Sequence, residues 1–210
     1  MAHSNETRIE LLKNAKAEFM EKGYSKASLR SICSRSGVTT GALYFFFNDK
    51  AGLYRECIGE AVDGFYNILQ THFDHDNLIL ASLDFECDEE DHSEEEDHSE
   101  LAQKLIHHIY KNYDEIILLL TKSQGSEYEN FVDEMVEFIE NHSLEATEIY
   151  SEKTGKKKKI NKYMLHFMIH LLVTSFVHLV TREPSEEKAL ANIKKIFKMT
   201  LQSWTDTVLD

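Results

Sequence analysis

The chain is poor in residues that interrupt helices. It has one proline and eight glycines in 210 residues. Proline removes a backbone donor and glycine costs helix entropy, so their scarcity favours long helices. Runs of strict polar–apolar alternation are also scarce, which leaves no sequence basis for a sheet. Three cysteines, Cys33, Cys57 and Cys87, stand at wide and odd spacing. They form neither a disulfide framework nor a CxxC site, and a reducing cytoplasm is the expected compartment. The first residues, Met-Ala-His-Ser-Asn-Glu-Thr-Arg, carry no apolar signal segment. No phosphate loop, nucleophile motif or His-Glu-x-x-His occurs, so no enzyme activity and no cofactor are expected.

Apolar residues make up 42% of the chain, enough for a buried core. The net charge is −14, but it is unevenly spread. Residues 1–55 hold nine Lys and Arg against five Asp and Glu; the rest hold fourteen against thirty-two. A basic head on an acidic body suits a protein whose head meets phosphate and whose body does not.

The head is organised around Ser28 to Leu53. Ser28 is placed to cap a short helix with Leu29, Ile32 and Cys33 on one apolar face. Gly37 supplies the left-handed turn, and Val38 points back inward. Thr39 caps a second helix with Leu43 and Phe47 on its inner side. Its outer side is Thr39, Thr40, Gly41, Ala42 and Tyr44, small or hydroxylic residues that let a backbone approach bases and phosphates. Two short helices about a glycine turn form a helix-turn-helix.

The residues Gly37-Val38-Thr39-Thr40-Gly41-Ala42-Leu43-Tyr44, then Phe47-Asn48-Asp49-Lys50 and Leu53, resemble the DNA-binding domain of the tetracycline-repressor (TetR) family. Phe19, Gly23, Tyr24, Ser28, Ile32 and Cys33 extend the match upstream. One departure is clear: many members carry histidine between the tyrosine and the phenylalanine, often as a phosphate contact, whereas this chain has Phe45 and Phe46. The resemblance implies an all-α fold, with a three-helix DNA-binding domain over residues 1–48. It also implies a helical bundle over 49–210 for ligand binding and dimerisation. The implied function is a ligand-responsive transcriptional regulator, a repressor released from a palindromic DNA operator by a small molecule. Thr39, Thr40 and Tyr44 are the expected DNA contacts on the second helix, with Ser28 and Lys50 on flanking phosphates. The implied effector pocket lies in the bundle, and Phe65, Tyr110, Phe131 and Phe138 are its expected aromatic lining.

The remaining chain divides by composition. Thr7-x-x-Glu10 reads as a capping box for a first helix reaching Lys22. Asn48 or Asp49 opens a helix to about His72, with Leu53, Cys57, Ala61, Phe65 and Leu69 on one face. Residues 84–100 hold eleven acids and no Lys or Arg, and repeat Glu-Asp-His-Ser-Glu. An acidic loop is expected there; a metal site using Cys87, His92 and His98 is the alternative. Leu101 to Lys122 is helical with a break at Asn112 to Asp114. Ser126-x-x-Glu129 reads as a capping box for the next helix, which Gly155 ends. Lys156 to Lys159 reads as a solvated loop.

Tyr163 to Thr181 is the most apolar stretch. It is nearly long enough to cross a bilayer, but its histidines favour a core or subunit interface. His166 and His170 share a helix face and could chelate a metal or flank a haem; structural hydrogen bonds are the expected use. Pro184 is expected in the first turn of the last helix, and the two last helices are expected to pair with a twin copy into a homodimer.

Overall fold

The structure is a computed structural model, and it describes residues 2–82, 94–155, 159–202 and Val208. The described residues are almost entirely helical: α1 (Ala2–Lys26), α2 (Leu29–Arg35), α3 (Thr40–Phe47), α4 (Lys50–Ser82), α5 (Glu94–Lys111), α6 (Tyr113–Lys122), α7 (Phe131–Thr154), α8 (Lys162–Arg182) and α9 (Glu186–Gln202). They form two compact units. One comprises Met1–Gly64 and Lys111–Phe131, the other Phe65–Tyr110 and Val132–Asp210.

In the first unit α1 packs on α6 and α2, and α2 packs on α3. Leu11, Ala15 and Phe19 recur every four residues on α1 and are fully buried. Ile32 and Cys33 of α2, Leu43 and Phe47 of α3, and Leu53, Tyr54 and Ile58 of α4 are buried in the same unit. Each large apolar side chain so buried contributes about 1.5–3 kcal/mol. Phe19 meets Tyr54 edge-on at 4.9 Å, and Tyr24 meets Tyr54 at 5.0 Å. The Tyr54 hydroxyl donates to the Leu118 carbonyl and pairs with Ser123 Oγ at 2.8 Å, which joins α4 to the end of α6. Cys57 is buried, and that burial pushes its thiol up to about 12. Burial also raises the Cys33 thiol, so neither is a thiolate at neutral pH.

In the second unit α8 packs on α9. Leu165, Ile169, Val173 and Val180 of α8 are buried, as are Ala189 and Ile193 of α9. Aromatic residues of α4 and α7 cluster: Tyr66 lies 5.4 Å from Phe138, Phe73 lies 5.7 Å from Phe138, and Phe73 stacks on His142 at 3.8 Å. Among the described residues, α8 is the one helix long and apolar enough to cross a bilayer.

Several boundaries differ from the sequence expectation. The first helix starts at Ala2, so Thr7 lies inside it and not at its start. Gly23 does break it, at φ 73° and ψ 163°. The fourth helix continues ten residues past His72, because Phe73 extends its buried stripe. The acidic stretch is a helix from Glu94 onward, as glutamates suit a helix start and its dipole. Residues 84–93, including Cys87 and His92, lie outside the described residues, as does the side chain of His98. Lys156, Lys157, Lys158 and Trp204 also lie outside them.

The Ser126–Glu129 pair closes a turn before α7 and does not cap it. Ser126 Oγ accepts from the Tyr128 N–H, and the Glu129 carboxylate accepts from the Gly125 N–H. The helix itself begins at Phe131. Pro184 precedes α9, whose first turn is capped by Ser185 accepting from Lys188 N at 3.4 Å. The opening of α8 is capped by Asn161, which accepts from Met164 N at 3.2 Å.

Candidate nucleic-acid interface

The interface is built from the α2–turn–α3 segment and the start of α4. Ser28 is extended at φ −110° and its hydroxyl accepts from Ser31 N at 3.3 Å. The turn follows at Gly37, whose φ of +66° is left-handed backbone that glycine adopts without strain. Val38 N donates to the Cys33 carbonyl at 3.0 Å, and the Val38 side chain is half-buried. Thr39 repeats the cap for α3, accepting from Ala42 N at 3.3 Å. Both capping hydroxyls act as acceptors, so each keeps its proton to donate outward.

Leu43 and Phe47 hold α3 to the core. Thr40, Gly41, Tyr44 and Phe45 are exposed on the rest of its surface. Tyr44 is 50% exposed and Phe45 80%. Phe46 is half-buried and meets Phe45 edge-on at 5.3 Å.

The α3–α4 junction is tight. Asn48 takes φ +61° and its N–H donates to the Tyr44 carbonyl. The Asp49 carboxylate accepts from Gly52 N at 2.7 Å and so caps α4. A Cβ on Gly52 would sit 2.1 Å from the Phe47 carbonyl oxygen, so only glycine fits there. Lys50 is half-buried. Its ammonium donates to the Ser25 carbonyl at 3.3 Å and lies 4.8 Å from the centre of the Tyr24 ring. Burial pulls its pKa below the ordinary value, against the pull of Glu18 upward.

Behind this surface lies a residue that the sequence reading missed. Glu18 is fully buried, and its carboxylate accepts from Ser28 N at 3.2 Å, Ser31 Oγ at 3.0 Å and Lys22 Nζ at 2.7 Å. Arg35 lies 3.2 Å from it. Burial pushes this carboxyl up, but the hydrogen bonds from Lys22, Ser28 and Ser31 outweigh that and hold it below its ordinary value. Its signal was an acid beside the buried Phe19, on the inner side of α1. It ties α1 to the start of α2 and so fixes the position of the reading segment.

The DNA-contact candidates therefore share the α2–α3–α4 segment: Ser28 and Thr39 at caps, Thr40 and Tyr44 on the exposed side of α3, Lys50 drawn back against Tyr24. The lining candidates are divided between the units. Phe65 is buried in the second unit, 6.4 Å from Phe176. Phe138 belongs to the cluster with Tyr66 and Phe73 in that unit. Tyr110 donates its hydroxyl to the Glu183 carbonyl. Phe131 is buried in the first unit. A shallow cleft of about 280 Å³, lined by Leu119, Ser123, Gln124 and Glu129 among others, also belongs to the first unit.

Two of the three histidines of α8 have ordinary side-chain partners. His166 Nδ1 lies 3.1 Å from the Glu140 carboxylate, and His170 Nδ1 lies 3.1 Å from Thr174 Oγ1. Among the described residues no three His, Cys, Asp or Glu side chains group as a metal site.

Comparison with known proteins falls on the same segment. The sequence profile "Bacterial regulatory proteins, tetR family" matches residues 11–57. The transcriptional repressor BepR of Brucella suis is 37% identical over 80 residues, which are 37% of this chain and 38% of that protein. The "Probable acrEF/envCD operon repressor" of Escherichia coli is 40% identical over 55 residues, 26% of this chain and 25% of its own length. The chain thus spans under two fifths of the length of these curated relatives. Solved structures match far more of the chain at low identity. A TetR-like regulator from Rhodococcus sp. RHA1 covers 93% of this chain and 96% of its own, at TM-score 0.61 and 15% identity. NalD of Pseudomonas aeruginosa, a secondary repressor of the MexAB-OprM multidrug efflux pump, covers 99% and 98% at TM-score 0.59 and 18% identity. These likenesses establish a shared fold across both units.

Proposed function

We infer the function from one premise: the chain belongs to the TetR family of bacterial regulatory proteins. It is a cytoplasmic, dimeric, sequence-specific DNA-binding regulator of transcription, and it acts as a repressor that a small molecule releases from its operator. Residues 1–48 read DNA, and residues 49–210 hold the effector and the dimer contact. The observation that carries this reading is α3, a helix held by Leu43 and Phe47 while Thr40 and Tyr44 stand exposed. Thr39 and Thr40 meet base edges, Tyr44 and Ser28 meet phosphate, and Lys50 supplies positive charge from behind. Repression is supported by the repressors among the relatives.

The dimer contact is α8 with α9. Tyr163, Phe167 and Leu171 are exposed every four residues along α8, and Met199 is exposed on α9. A second copy of the same surface covers such a stripe with two-fold symmetry. The effector is an organic molecule with apolar or aromatic surface, held in the second unit beside Phe65, Tyr110 and Phe138.

The test is in vitro selection from a randomised duplex library at low salt. Enrichment of an inverted repeat, bound by two protomers, is the expected result. A library that stays random after repeated rounds overturns the reading.

A further inference from the structure

Phe45 stands apart on α3. At about 100° per residue it lies roughly 180° from the mean direction of Leu43 and Phe47, so it points straight away from the core. It is 80% exposed, more than any other large apolar side chain described in the protein. Its ring is propped at 5.3 Å and 77° against Phe46, which in turn lies 6.0 Å from the buried Phe47. The exposed ring is therefore held outward by its neighbours.

One turn earlier on the same face is Gly41. Its backbone is regular helix, and a Cβ there would make only an ordinary 3.7 Å contact with Thr39 Oγ1. Nothing inside the chain requires glycine at that position, although glycine costs an exposed helix about 1 kcal/mol relative to alanine. A bare backbone beside a propped apolar ring is a surface shaped for something outside the chain.

Resting on the reading of α3 as the helix that enters the major groove, we propose that Phe45 determines operator sequence by packing on the 5-methyl group of a thymine. Gly41 provides the clearance that brings the ring to the base edge. The thymine methyl is the one apolar group that a base presents in the major groove, and phenylalanine is a side chain that recognises it. Phosphate and the polar base edges offer this ring nothing, so the methyl is the partner its chemistry selects.

The experiment uses the full chain and the duplex enriched by selection. Each thymine is replaced in turn by deoxyuridine, which removes the methyl and leaves base pairing unchanged. One position per half-site is expected to lose about fourfold in affinity, the worth of one buried methyl. Phe45→Ala is expected to bind the thymine and deoxyuridine duplexes equally, while Phe45→Leu keeps part of the discrimination. Phe45 is exposed, so both variants are expected to retain the helical content of the wild type. The proposal is overturned if no deoxyuridine substitution weakens the wild type, or if Phe45→Ala still discriminates. Those outcomes leave sequence-specific binding intact. Absence of any enriched duplex instead removes the DNA-reading premise, and this proposal with it.

Discussion

The Glu18 carboxylate accepts a hydrogen bond from the Ser31 hydroxyl at 3.0 Å, and this contact joins the first helix of the head to the second. The same carboxylate holds Ser28 N, so the cap of α2 is itself fixed from behind. Glu18→Gln keeps the shape but loses the charge that Lys22 and Arg35 answer. It is expected to lower stability by about 1–3 kcal/mol, read by urea unfolding. The folded-state pKa is depressed, so the carboxylate's contribution is present above the unfolded value, near 4.3, and disappears as pH falls below it. Wild type and Glu18→Gln should therefore converge in stability as the pH falls through the depressed folded value. A constant difference from pH 7 to pH 3 would show that the charge plays no part.

Tyr54 makes the corresponding link between α4 and the end of α6. Burial is the main cause that pushes its hydroxyl up to about 12. Its folded pKa is raised, so its contribution is complete below the unfolded value of about 10 and is lost as pH rises through 12. Burial also raises Tyr24, Tyr66 and Tyr128, so absorbance titration should show several late steps, and the one near 12 should vanish in Tyr54→Phe. That variant should also cost about 1–2 kcal/mol, since the Leu118 carbonyl and the Ser123 hydroxyl each lose one buried hydrogen bond.

Two glycines of the head are expected to respond in opposite ways to alanine. Gly52→Ala brings a Cβ onto the Phe47 carbonyl oxygen and should cost about 2–4 kcal/mol through a shifted α3–α4 junction. Gly41→Ala meets no such obstacle and should raise stability by up to about 1 kcal/mol. Its effect belongs to DNA binding, which should weaken. Thermal unfolding and binding isotherms of both variants separate the two roles; Gly41→Ala binding DNA as well as the wild type would refute its part.

His142 lies flat against Phe73, with ring planes 4° apart. Burial is the main cause that lowers its pKa; His72 pushes the same way, and Glu145 and Asp74 push back. The neutral ring is favoured in the fold. Its contribution is therefore present above the unfolded value, near 6.5, and declines as pH drops through that value. The imidazole resonance of His142 should titrate below the ordinary histidine value of about 6.5. A midpoint at or above 6.5 would contradict this placement.

The head was legible because its signals are local. Ser28 and Thr39 announce their caps, Gly37 its turn, and Leu43 with Phe47 the inner face of α3. Gly52 was not legible as a requirement, since its constraint comes from a carbonyl five residues back. Glu18 was missed because its partners lie ten and thirteen residues away and on another helix. The helix at Glu94 was read as loop because like charges suggest repulsion, while the favourable dipole at a helix start offsets part of it. Ser126 and Glu129 matched a cap motif but serve a turn, a distinction that the motif alone does not contain. The aromatic lining was the least legible part, since apolar periodicity places residues on a face without saying which element they meet.

The central claim is that α3 from two copies reads DNA in successive major grooves. The direct measurement is a hydroxyl-radical footprint of the full chain on its selected duplex, with protein stoichiometry measured on the same complex. Two symmetric protected regions, centred about 34–36 Å apart or a multiple of that, with one protomer in each half-site, are the predicted result. Protection without two-fold symmetry, or unchanged in Thr40→Ala, would contradict the account.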